Sequence, residues 1–227
     1  MHSMNFTMTM ELNFRLYTRI TWIVCLFACM SCSEQHPKLE RLHQISPDSV
    51  IAHYDLSGDS LKEFPDLSGY TIRSLDLSHN QLDTIIPERL PTGLEKLDLS
   101  HNRLEGELEV KKKSMPTLRE LDLSYNRLEG ISVKEDNLRR LILTHNNLYE
   151  RVDVVRDKAR FCTIQYLDVS YNENLHLNKE TFPIKSLGRD TFLVEGTRIK
   201  EEEIPFIVPP PALRSVFKFE YNNGSPQ

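Results

Sequence analysis

Along the middle of the chain the apolar residues fall in a fixed pattern, LxxLxLxxNxL, with polar residues at most of the sites between. It runs through Ile72-Leu75-Leu77-Asn80-Leu82, Leu94-Leu97-Leu99-Asn102-Leu104, Leu118-Leu121-Leu123-Asn126-Leu128 and Leu138-Leu141-Leu143-Asn146-Leu148. Ile164-Leu167-Val169-Asn172, followed by Leu175, is the fifth match, and successive starts lie 22, 24, 20 and 26 residues apart. Looser versions flank these, Ile51-Tyr54-Leu56-Asp59-Leu61 before and Phe192-Val194-Thr197-Ile199 after. Within LxLxx, apolar residues two apart share one side of a strand and those between take the other. A single coil of this length cannot enclose a core. Stacked coils can, because each adds a strand to a parallel sheet at ~4.8 Å spacing and its leucines to a shared interior.

Template and period resemble those of leucine-rich repeats, over residues 49–200 and about seven coils. The resemblance implies an α/β-type solenoid: a horseshoe with a parallel β-sheet on its concave face and short irregular or 3₁₀ convex segments. Terminal coils depart from the template, as expected where a coil has only one neighbour. Pro65, Pro87, Pro91 and Pro116, with Gly93, Gly106 and Gly130, punctuate the convex side and leave room for a helical turn over 110–114. The LEGEL and LEGIS runs resemble the plant-type subclass, without the IP that should follow. Asn80, Asn102, Asn126, Asn146 and Asn172 hold one slot just after each strand. An amide has one acceptor and two donors, so these side chains are expected to satisfy backbone groups of their own turn and of the adjoining coil.

Ahead of the repeats, Arg15 and Arg19 precede an apolar run from Ile20 to Met30 that ends at MSCSEQ. A basic start, a short apolar core and a small residue make a secretory signal, and the run falls short of the about 20 residues that cross a bilayer. The Ser31-Cys32 junction resembles the lipobox of bacterial lipoproteins, which implies cleavage before Cys32 and acylation of that cysteine. Cys29, after Leu26-Phe27-Ala28, is the competing site. The Cys-Ser-Glu start resembles lipoproteins of Bacteroides-like bacteria and implies a lipid-anchored outer-membrane location. Residues 1–31 are then the signal, 32–48 a tether, 49–200 the solenoid, and 201–227 a C-terminal cap and tail with a strand near Ser215 to Tyr221.

The formal net charge is −5, and since the first 31 residues hold Arg15 and Arg19 against Glu11, the remainder carries −6. That weak acidity gives no reason to expect nucleic acid as a partner, since phosphate binding needs a basic stripe. After cleavage, Cys162 is the one thiol besides the lipidated Cys32; no intrachain disulfide can form, and Cys162 reads as a small buried hydrophobe.

Candidate chemistry lies on the outward side of the strands. Asp55, Asp76, Asp98, Asp122 and Asp168 form one column, broken by Ile142; Ser57, Ser78, Ser100, Ser124, Thr144 and Ser170 form the next. His79, His101, Tyr125, His145 and Tyr171 form a third at the strand ends, flanked by Arg73, Lys96, Arg119, Arg139 and Arg140. A linear carboxylate column offers no pocket that separates the pKa values of an acid pair. The serines lack a nucleophile elbow, and the histidines lack a recognised metal-ligand spacing. No phosphate loop or dinucleotide fingerprint occurs. The expectation is a non-enzymatic monomer without cofactor or metal, binding a protein or peptide through Asp76, His79, Asp98, His101, Arg119, Asp122, Tyr125, Arg140, His145 and Tyr171. Two other classes stand beside it: a structural or accessory envelope protein without a dedicated ligand, and a carbohydrate-binding surface protein.

Overall fold

The computed structural model describes residues 36–111, 114–134, 137–149, 151–153, 164–176 and 191–199. The signal, Cys29, Cys32, Cys162 and the cap expected over 201–227 lie outside the described residues.

The LxL strands form as the pattern requires. Val50–Asp55 (β1), Thr71–Asp76 (β2), Lys96–Asp98 (β3), Glu120–Asp122 (β5), Arg140–Ile142 (β7), Tyr166–Asp168 (β9) and Thr191–Leu193 (β10) build a seven-stranded sheet in the order β1-β2-β3-β5-β7-β9-β10. Every pairing is parallel, and the register aligns the template: Leu75 with Leu97, Leu97 with Leu121, Leu121 with Leu141, Leu141 with Leu167. Those leucines are buried in one continuous core, with Leu77, Leu99, Leu123, Leu143 and Val169 behind them. At roughly 1.5–3 kcal/mol per buried side chain, this repeating layer is the main source of stability. Little helix accompanies it: α1, Pro37–Leu42, and a 3₁₀ turn, Pro87–Arg89.

The five asparagines knit coil to coil. The Asn126 carbonyl accepts the Leu104 N–H of the preceding coil at 3.0 Å, while its amide donates to Leu99 O, also in that coil, at 2.9 Å and to Leu123 O at 3.1 Å. Asn80, Asn102, Asn146 and Asn172 repeat the arrangement.

Two segments differ from expectation. Glu105–Val110 (β4), Arg127–Val133 (β6) and Arg151–Asp153 (β8) form a second parallel sheet, ordered β4-β6-β8, where irregular segments were expected. Val110 ends a strand rather than starting a helical turn. The reason lies in period-two alternation: Leu108 and Val110 turn toward the core while Glu105, Glu107 and Glu109 face out. The second half of the expected tether is likewise folded. Pro37 opens α1, as suits a residue with fixed φ and no N–H; Leu42 is fully buried, and Leu39 and Ile45 pack on the same core. Asp59 accepts the backbone N–H groups of Lys38 and Leu39, so the helix covers the first coil.

Candidate functional site

The outward face of the seven-stranded sheet opens into a cavity of about 300 Å³. Alternate residues of five of its strands line it: His53 from β1, Ser74 and Asp76 from β2, Lys96 and Asp98 from β3, Glu120 and Asp122 from β5, Arg140 and Ile142 from β7. Lys96 pairs with Glu120 at 2.9 Å, and the Arg140 guanidinium lies 3.7 Å from the centre of the Tyr166 ring. Four carboxylates therefore face two cations.

The aspartates also have work inside the fold. Each accepts a backbone N–H two residues on: Ser57 to Asp55 and Ser78 to Asp76 at 2.8 Å, Ser100 to Asp98 and Ser124 to Asp122 at 2.9 Å, Ser170 to Asp168 at 3.0 Å. Such turns pin the point where the chain leaves the strand. Burial pushes the Asp122 carboxyl above its usual value, opposed by the Ser124 hydroxyl at 2.7 Å and abetted by Asp98. Asp55, at the open end, is held down to about 2, first by the Ser57 hydroxyl and then by Lys38.

The third column is not on the strand at all. His79, His101, Tyr125, His145 and Tyr171 each have φ between 53° and 58°, the left-handed region that costs a side-chain-bearing residue roughly 1–2 kcal/mol. The chain bends there, and the five rings stack into one ladder. Centroids are 4.1 Å apart for His79 and His101, 4.2 Å for the next two pairs, and 4.5 Å for His145 and Tyr171. Ring stacking, worth about 0.5–1.5 kcal/mol per pair, offsets much of the backbone strain. Tyr125 and Tyr171 remain 45% and 43% exposed, so the ladder presents ring edges along a ridge. Burial lowers the His101 pKa, and the neighbouring His79 lowers it further. His145 Nδ1 is buried without a hydrogen-bond partner.

The expected site residues thus divide. Asp76, Asp98, Asp122 and Arg140 line the cavity, whereas His79, His101, Tyr125, His145 and Tyr171 form the ridge. Arg119 belongs to neither: it is exposed, precedes β5 and does not line the cavity. Grouping it with Lys96 and Arg140 mixed two register positions, because Lys96, Glu120 and Arg140 are the residues aligned across β3, β5 and β7. Sequence reasoning missed His53 and Glu120, which the same alignment places on this face. Among the described residues, no group of three or more His, Cys, Asp or Glu side chains is placed to hold a metal ion.

Residues 92–148 match a family described as Leucine rich repeat, and residues 71–92 match a second family of the same description. Residues 71–148 are leucine-rich repeats. The matched stretch contains β2, β3, β5 and β7, and therefore all the strands that supply Ser74 to Ile142 of the cavity. Repeats of this family serve as protein-interaction modules. No curated protein matches the chain.

Proposed function

We propose that the protein is a non-enzymatic binding module of a bacterial envelope, anchored through lipid on Cys32, that receives a protein or peptide partner on the outward face of its leucine-rich repeat sheet. The single observation that carries this reading is the cavity on that face. It lies on rigid, hydrogen-bonded strands, and its acidic lining of Asp76, Asp98, Glu120 and Asp122 exceeds the charge of Lys96 and Arg140. Such a surface selects a partner by charge complementarity. The anchor is supported by the sequence alone: a basic start, a short apolar run and the Ser31-Cys32 junction. Two or three acyl chains there give stable membrane attachment.

Asp98 and Tyr125 support their own turns, so the binding test uses lining residues that do not. A full-length chain carrying Glu120→Lys and Arg140→Glu should fold, yet lose the partner co-isolated with wild type from detergent-solubilised envelopes. Glu129→Lys, on the other sheet, should retain it. Retention by the double variant refutes binding at this face, and a partner lost only with Glu129→Lys moves the site to the second sheet. Mass spectrometry of the mature amino terminus decides the anchor: an unmodified start elsewhere refutes it, and a lipid at Cys29 transfers it there.

A further inference from the structure

The ring ladder ends differently on its two sides. Gly58 in the first coil and Gly196 in the last hold the place that rings hold between them, with the same left-handed backbone, φ 63° and 64°. Gly58 donates its N–H to Ser78 O at 3.0 Å, just as His79 does to Ser100 O. A side chain at either glycine would therefore stand on the terminal ring, in step with the stack. At Gly196 that place is closed, since a Cβ would lie 3.0 Å from the Tyr171 ring. At Gly58 it is open: a Cβ there would meet no heavy atom within 4 Å. His79 is exposed, and among the described residues no further ring stacks on it at this end.

An uncovered face at the end of a stack is complementary to one more flat ring. The surroundings narrow the choice further. Lys38 Nζ donates to Ser57 O at 2.7 Å and to Asp55 at 2.9 Å, which sets a cation at the rim, where it can face the π-system of a guest. The first two coils, which hold Gly58 and His79, also supply His53 and Asp76 to the lining of the acidic cavity.

We propose that the gap above Gly58 is the docking position for an aromatic side chain of a protein or peptide partner, whose neighbouring Lys or Arg residues lie over the acidic cavity. The proposal rests on the reading of the outward face as a binding surface and adds the chemistry of what it binds. Gly58 leaves out the rung that the partner supplies.

The chain itself shows how to fill the gap, because it uses histidine in this backbone conformation on the next two coils. Gly58→His should complete the ladder with a ring of its own, while Gly58→Ala adds backbone strain but leaves the gap open. The probes are two synthetic peptides, acetyl-Trp-Lys-Lys-Lys-amide and the same peptide with Leu for Trp, titrated into the full-length chain by calorimetry. Wild type and Gly58→Ala should favour the Trp peptide by about fivefold, within the range a stacked ring pair supplies, and Gly58→His should bind both peptides equally. Equal binding of the two peptides to wild type overturns the proposal, as does a Trp preference that survives Gly58→His. If Glu120→Lys weakens both peptides alike in that case, the outward face stands and only the gap is lost. A third probe, maltotriose, separates ring classes: sugar binding that Gly58→His abolishes while the Trp peptide is unaffected assigns the gap to carbohydrate and overturns the aromatic assignment.

Discussion

Replacing Asn126 by Leu tests the coil-to-coil amide ladder at its centre. The side chain is 8% exposed. It accepts the Leu104 N–H at 3.0 Å and donates to Leu99 O, Leu123 O and Ser124 O at 2.9–3.1 Å. Leucine has a similar size but returns none of these bonds. The Leu104 N–H loses its acceptor at a cost of about 1–3 kcal/mol, and the carbonyls lose donors worth roughly 0.5–1.5 kcal/mol each. A loss of about 2.5–7.5 kcal/mol follows; at roughly 2–4 °C per kcal/mol for a chain of this size, the melting temperature should fall by on the order of 10 °C. Asp122→Ala is the comparison. Its half-buried carboxylate loses two bonds from Ser124, at 2.9 and 2.7 Å, so a smaller cost of about 1–2 kcal/mol is expected. Arg119→Ala, on an exposed side chain, should stay within about 0.5 kcal/mol of wild type. Urea denaturation followed by circular dichroism gives the three values. An Asn126→Leu variant no less stable than Asp122→Ala would refute the assignment of the asparagines as the inter-coil link.

The left-handed column makes a sharper prediction: Tyr125→Gly should be more stable than Tyr125→Ala by roughly 1 kcal/mol, because both lose the ring contacts but only alanine keeps the backbone strain; equality in thermal melts would refute the strain. Stability should also fall on acidification below pH 6.5. The folded His101 resists a proton that the unfolded chain accepts, and His101→Tyr should flatten that part of the denaturation profile. Further down, Asp55 adds stability that is complete above its unfolded value of 3.8 and is lost as the pH falls toward about 2. Asp55→Asn should remove this slope between those limits, and an unchanged acid profile would show the carboxylate contributes nothing.

The solenoid was legible in the sequence because its signal is repeated: a leucine every coil, an asparagine at one slot, and spacings that keep both in register. Features without repetition were harder to see. The apolar spacing of Leu39, Leu42 and Ile45 marks α1, but the segment is short and its flanking prolines suggest a linker. The second sheet rests on alternation in Leu108-Val110 and Ile131-Val133, which the glycines of LEGEL and LEGIS obscure. The ring column was found as a list of residues at the strand ends, without its backbone conformation. Its true conformation was signalled by Gly58 and Gly196, since the outer coils use at that position the residue that adopts positive φ most readily. For the cavity, assigning Arg119 needed the strand boundary, and a template with two variable positions before each LxL leaves that boundary open by one residue.

The amide ladder also bears on how such a chain changes length over generations. Each asparagine contacts equivalent backbone atoms in its own turn and in the coil before it, although the separation to the carbonyl of that coil varies from 23 to 29 residues, and no partner depends on a particular side chain. Excising a whole coil, from Leu94 through Thr117, would bring β5 beside β2, with the Asn126 amide facing the same Leu77 carbonyl and Leu82 N–H that Asn102 now meets. A cut that removes an asparagine but keeps its strand would leave an N–H of the coil before it unpaired, whereas the segment between strands tolerates the length changes seen in the spacings of 20 to 26 residues. The amide slot itself is gained or lost with a whole coil, and each central coil carries one ring of the ridge with it. The length of the amide ladder is therefore heritable as a whole number.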